Sequence, residues 1–337
     1  MSECPPITPS ERSGGPPVRS LGLPLVLACL VGTIACGNAV PTGSSAVSPS
    51  PDSTPTPAGT AAAQAADIDG LVVLTGDALG IGTADGALVG LAGPGGPVSG
   101  LSAAHGRLVV QAAGPAFAIA DITQAGAAMT WQPIELAPTE VRLTLSAPAL
   151  SPGGNLLAFT ASEPGTTDAF QVVTHDVAKG DRRSQSFDRE SNGPPVWIDG
   201  TSLLVEVVPI PGGTRFLRLD TASSRVEPVR ADGFGLAISG DGSVLAVASS
   251  DGSVVAVPAA DWLAGNPPDE GAIVDASGHP FALAVDRTGR RIAIGYAYEG
   301  GDPASIAVFV REGGGWRRSA TPVGVAPGTP TMLGWLN

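Results

Sequence analysis

From Asp67 to Asn337 the apolar positions come in short runs, each broken by Gly, Pro, Asp or Ser. No long segment places apolar residues at the 3.6-residue spacing of an amphipathic helix. The best helical segment is the short Ala259–Leu263 piece. Short strands at regular spacing predict an all-β sandwich, barrel or propeller, and the length of the repeat decides between them.

One unit recurs: an apolar strand, a polar turn with Gly, then a second apolar strand. It runs through Leu101–Val110, Leu150–Phe159, Trp197–Val205, Ile238–Val247 and Val285–Ile294. Successive starts lie 49, 47, 41 and 47 residues apart, the size of one four-stranded blade. Gly in the turn supplies the positive φ that a tight hairpin needs. The strand before the turn is expected near a central axis. The strand after it, such as Leu156–Phe159, is expected between neighbouring blades, where Ala158, Ala246 and Ala293 let sheets approach.

The two ends fit together. Residues 68–94 hold three strand segments, Gly70–Leu74, Ala78–Gly82 and Ala87–Leu91, which lack an innermost partner. Pro330–Asn337 looks like Pro194–Trp197 and would supply it. The expectation is a six-bladed β-propeller over residues 67–337, closed by its C-terminal strand, which removes exposed edges. The rival is a pair of β-sandwiches with a boundary near residue 190.

Ser151-Pro152-Gly153-Gly154 followed by Leu157-Ala158-Phe159, and Ser239-Gly240-Asp241-Gly242, resemble the TolB-type, WD40-like propeller repeat. That repeat reads roughly Ser-Pro-Asp-Gly and then Leu-Ala-Phe. Gly153 stands where it has Asp, and no Trp-Asp dipeptide occurs. The resemblance implies a propeller and is nearly silent on function.

The N-terminus has a different character. Leu21–Ala35 is a long uncharged apolar run preceded by Arg12 and Arg19. It is short for a membrane span, which needs about 20 residues, and suits a secretory signal. Ile34-Ala35-Cys36-Gly37 resembles the bacterial lipobox, with Thr33 where the family usually has Leu, Val or Ile. Residues 1–35 are therefore read as a lipoprotein signal and Cys36 as the lipid attachment site. Cys29 is the second candidate, and a start at Val18 would shorten the signal. Residues 36–66 are rich in Pro, Ser, Thr and Ala and read as an extended tether. The implied partner is a membrane through the lipid on Cys36, at the outer face of a bacterial cytoplasmic membrane; the alternative is secretion.

Composition narrows the chemistry. The formal net charge is −13, against the basic face a nucleic-acid binder needs. Cysteines occur only at positions 4, 29 and 36, so the rest of the chain has no disulfide and no thiol chemistry. Three histidines, His105, His175 and His279, make a zinc site improbable, and neither a metal nor a cofactor is expected. All three histidines read as surface residues. No Gly-x-Ser-x-Gly elbow, phosphate loop or calcium loop occurs.

A propeller usually binds over the face where interblade loops meet those between second and third strands. The polar residues of those loops are Glu163, Asp168, Arg189, Glu190, His279, Tyr298, Glu299 and Asp302. They form a candidate patch for a protein or glycan partner, and solvated turns would need the same residue types. The expectation is a binding or scaffolding module with no catalytic residue. The alternative is a propeller enzyme of the lactonase or glycosidase class acting on sugars. A sensor domain is a third reading.

Overall fold

The computed structural model describes residues 67–113, 116–122, 129–191, 193–207, 216–229, 233–249, 251–265, 272–275, 280–296, 304–325 and 331–336. The expected signal, Cys36 and the tether lie outside the described residues.

The recurring turn shapes everything else. In three blades its first residue is buried and polar: Ser151, Ser239 and Asp286. Each accepts a hydrogen bond from the backbone N–H five residues on. Leu156 N–H donates to Ser151 Oγ at 3.0 Å, Val244 N–H to Ser239 Oγ at 2.9 Å, and Arg291 N–H to Asp286 Oδ1 at 3.2 Å. The repeated Ser or Asp thus satisfies a backbone group that the turn would leave unpaired. Blade 2 solves the problem with two residues. His105 and Gly106 both have positive φ, 50° and 72°, between the paired Ala104 and Arg107. That is the tight turn whose twist matches the flanking strands.

Turns join the two inner strands in every blade but the first; five of the six antiparallel sheets have four strands, and the sheet of blade 3 counts five because its innermost strand is broken. From the axis outward, blade 1 is Thr331–Trp335, Leu71–Thr75, Ala78–Gly82 and Leu88–Leu91. Blade 2 is Gly100–Ala104, Arg107–Ala112, Ala116–Asp121 and Gln132–Ile134. Blade 3 has an innermost strand broken into Thr144–Leu145 and Ala149–Leu150, then Leu156–Ser162, Phe170–Asp176 and Arg182–Phe187. Pro148 lies in the break and has no N–H to give the ladder. Blade 4 is Val196–Trp197, Ser202–Glu206, Phe216–Asp220 and Val226–Val229. Blade 5 is Phe234–Ile238, Val244–Ala248, Val254–Pro258 and Ala272–Asp275. Blade 6 is Pro280–Val285, Arg291–Tyr296, Ala304–Glu312 and Gly315–Val325. The helix Ala259–Leu263 forms where the sequence placed it, burying Trp262 edge-on against Phe216.

The ring closes as the two ends required. Thr331–Trp335 pairs with Leu71–Thr75 along its whole length, from Leu71 opposite Trp335 to Thr75 opposite Thr331. The structure is a six-bladed β-propeller, and the two-sandwich alternative falls.

There are six hydrophobic cores, one between each pair of adjacent blades. Each second strand serves two of them by its two-residue alternation. Leu157 and Phe159 face blade 2, while Ala158 faces blade 4. Ile292 and Ile294 face blade 5, while Ala293 faces blade 1. Ala158, Ala246 and Ala293 are fully buried at these contacts. Two tryptophans hook neighbouring inner strands together. Trp197 Nε1 donates to Ala149 O at 2.9 Å, and Trp335 Nε1 to Ala284 O at 3.3 Å.

Candidate functional site

Six innermost strands side by side leave a channel along the axis. One apolar residue per blade forms a collar across it: Leu101, Pro148, Val196, Leu236, Leu283 and Leu333. These six line both of the cavities that open on either side of them.

The cavity on the crossover face holds about 500 Å³. Leu204, Phe216, Phe281 and Met332 contribute its apolar wall, and Phe281 is 41% exposed. Glu206 is the one ionisable residue among the described lining residues. It ends the second strand of blade 4 and shares the face of Leu204, which packs toward blade 5. The cavity on the turn face is smaller, about 200 Å³. Ala103, Ala149, Ala237 and Ala284 keep it open, and Trp197 and Trp335 stand in its wall. Its ionisable lining residues are His105 and Arg287, both basic types.

Sequence reasoning missed Glu206 and Arg287 as site residues. Glu206 is a lone acid at a strand end, and Arg287 is one residue of an ordinary-looking turn. His105, read from the sequence as a surface residue, is exposed and lines this cavity.

The expected patch is placed in part. Glu163, Asp168 and Glu190 are exposed, and Arg189 is half-buried. Glu190 and Ser191 line a cleft of about 280 Å³ with Thr166 and Thr167. That cleft joins the loop after the second strand of blade 3 to the crossover leading to blade 4. Thr166 Oγ1 is already committed, donating to Glu163 O at 2.7 Å. His279, Tyr298, Glu299 and Asp302 lie outside the described residues.

His175 is a correction: it is 6% exposed, not a surface residue. Its Nδ1 accepts from Arg182 Nε at 3.2 Å, and Arg182 Nη1 reaches Glu140 Oε2 at 3.1 Å. The imidazole is packed on the outer part of blade 3, far along the blade from the channel.

Perturbed acids mark turns rather than the channel. Backbone and side-chain bonds from Ser223 hold Asp220 below the usual carboxylate range, and those from Ser253 do the same for Asp251. Among the described residues no three His, Cys, Asp or Glu side chains group into a metal site.

No protein-family model and no curated protein matches the chain in sequence. Solved structures do match in fold. An oligogalacturonate lyase in complex with manganese is 12% identical with a TM-score of 0.50, over 69% of this chain and 68% of that one. A puromycin hydrolase variant is 14% identical with a TM-score of 0.48, over 79% of this chain and 55% of that one. The hydrazine synthase of Kuenenia stuttgartiensis is 14% identical with a TM-score of 0.42, over 65% and 64%. The expectation that the chain is not an enzyme is therefore corrected on one finding: the oligogalacturonate lyase that it resembles in fold is named as an enzyme. In a channel assembled from six distant strands, a missing linear motif carries no weight against catalysis. What these similarities share with this chain is the propeller.

Proposed function

We propose that the chain is a lipid-anchored, extracytoplasmic propeller enzyme acting on a saccharide-class substrate in the cavity beside Glu206. One observation carries the reading: a cavity of about 500 Å³ at the channel mouth, apolar in its walls, with a carboxylate at its edge. That is the size and make-up of a small-molecule site. An exposed aromatic face such as Phe281 suits the C–H face of a sugar ring, and the collar lines the inner end with apolar side chains. Glu206 would give or take a proton at a substrate oxygen or carbon. The saccharide class is supported by the fold shared with the oligogalacturonate lyase. Leu21–Ala35 and the tether of residues 36–66, which begins with Cys36, support the anchored placement.

The test is a panel of oligouronides, sugar lactones and aryl glycosides, with Glu206→Gln beside the wild type. Loss of a proton-transferring group costs about 10²–10⁴ in rate, so the variant should lose at least about a hundredfold in kcat at an unchanged melting temperature. A wild type that turns over nothing on the panel, or a variant that keeps the full rate, sinks the reading. For the anchor, Cys36→Ala should move the protein out of the membrane fraction or leave its precursor uncut.

A further inference from the structure

We propose that the turn-face mouth of the channel is a binding site for a small organic carboxylate with a compact apolar body. This does not rest on the saccharide reading, which concerns the opposite mouth.

The equivalent turn position in three blades lines this cavity: Pro152 in blade 3, Gly240 in blade 5 and Arg287 in blade 6. Of these three, only blade 6 puts a charge there. Arg287 is exposed, and its backbone and the root of its side chain sit against blade 5. Asp241 N–H donates to its carbonyl at 2.9 Å, and a Cβ added at Gly240 would come within 3.1 Å of its Cγ. His105 is fixed from the other side by its two-residue turn, whose Gly106 N–H donates to Leu336 O at 2.8 Å. Blades 2 and 6, which carry the two basic side chains, flank blade 1, whose Trp335 lines the cavity between them.

Neither Arg287 nor His105 has a side-chain hydrogen bond or ion pair among the described residues. Asp286, the acid next in sequence to Arg287, is taken up by Arg291 at 3.0 Å and by backbone N–H groups. Two basic residues with no acid among them therefore line one cavity of a protein whose net charge is −13. A guanidinium offers a forked donor pair that a carboxylate matches in two bonds. Behind it lie alanines, two tryptophans and the apolar collar, so the rest of the ligand is apolar. A cavity of about 150 Å³ can hold benzene, and this one holds about 200 Å³. A dianion such as a phosphate monoester would leave charge uncompensated beside the collar.

The experiment titrates the full chain in detergent with benzoate, and with benzamide as its uncharged twin. Trp197 and Trp335 report occupancy by fluorescence, and calorimetry gives the affinity. Benzoate should saturate the site and benzamide should bind at least tenfold more weakly. Arg287→Gln should weaken benzoate at least tenfold, and His105→Asn, which keeps a side chain that tolerates positive φ, severalfold. Glu206→Gln should leave benzoate affinity unchanged. No benzoate binding, equal binding of benzamide, an unaltered affinity in Arg287→Gln, or loss of benzoate binding in Glu206→Gln would each overturn the proposal.

Discussion

The two mouths of the channel are built by different means. At the turn mouth the blades lock into one another through bonds to backbone carbonyls. Gly106 N–H reaches Leu336 O, Asp241 N–H reaches Arg287 O, and the Arg107 guanidinium reaches Gly154 O at 2.9 Å. At the crossover mouth the lining comes from strand ends and apolar side chains, with Glu206, Phe281 and Met332 meeting only in space. The difference separates scaffold from chemistry. Where the repeat is kept, as at Ser151, Ser239 and Asp286, the polar residue holds the turn. Where it is broken, as at Arg287, or where an acid ends a strand, as at Glu206, the residue lines the channel.

If the turn mouth is the scaffold, breaking its closure should do most damage. Truncation before Thr331 removes the innermost strand of blade 1 and leaves Leu71–Thr75 as an open edge. The expected result is loss of cooperative unfolding and aggregation of the product. A truncated chain that melts as one transition within a few degrees of wild type would mean that the ring does not need its closure.

The next largest effect belongs to Gly289. Its φ is +66°, and a Cβ there would lie 2.5 Å from Val244 Cγ2 of blade 5. Gly289→Ala adds a left-handed backbone penalty of about 1–2 kcal/mol to overpacking of about 1–3 kcal/mol. Chemical denaturation should show a loss within that summed range. A neutral result would show that the turn face yields more readily than its interlock implies.

Ser239→Ala should cost less. It leaves the N–H groups of Ser243 and Val244 without their Ser239 Oγ acceptor, although Asp241 still takes Ser243. A buried donor left unpaired costs about 1–3 kcal/mol, read as a lower denaturation midpoint at an unchanged slope. An alanine variant as stable as wild type would remove the account of why the repeat carries Ser or Asp at this position.

The scaffold was legible in the sequence because its signals are local. A turn of Ser, Gly and Asp, an apolar strand after it and an alanine inside that strand recur at blade length, and each is decided within about ten residues. The matching of Pro330–Asn337 to Pro194–Trp197 was legible for the same reason. The site was not. Its walls draw residues from all six blades, and Glu206 and Arg287 share no sequence neighbourhood. His175 was misread on similar grounds. Its partners are Arg182 on the adjoining strand and, beyond it, Glu140 from a crossover 42 residues from Arg182. Nothing near His175 in the chain announces either one.

That His175 cluster gives the smallest effect, and it lies on neither mouth. Burial, and after it the positive charge of Arg182, lower the imidazole pKa below its usual 6.5, while Glu140 and Asp176 pull the other way without prevailing. Neutral His175 accepts the Arg182 Nε–H; a proton on Nδ1 would remove that acceptor and set two cations together. The folded protein therefore favours the unprotonated ring more than the unfolded chain does. The stability this supplies is complete above about pH 6.5 and is lost as pH falls from there through the folded pKa. Denaturation midpoints at pH 7.5 and 5.5 should accordingly drop for wild type. For His175→Gln, which cannot take the proton, the drop should be smaller, although turn acids such as Asp220 and Asp251, held low, begin to contribute in both proteins as pH nears the carboxylate range. Equal drops would place the acid sensitivity outside the His175 cluster.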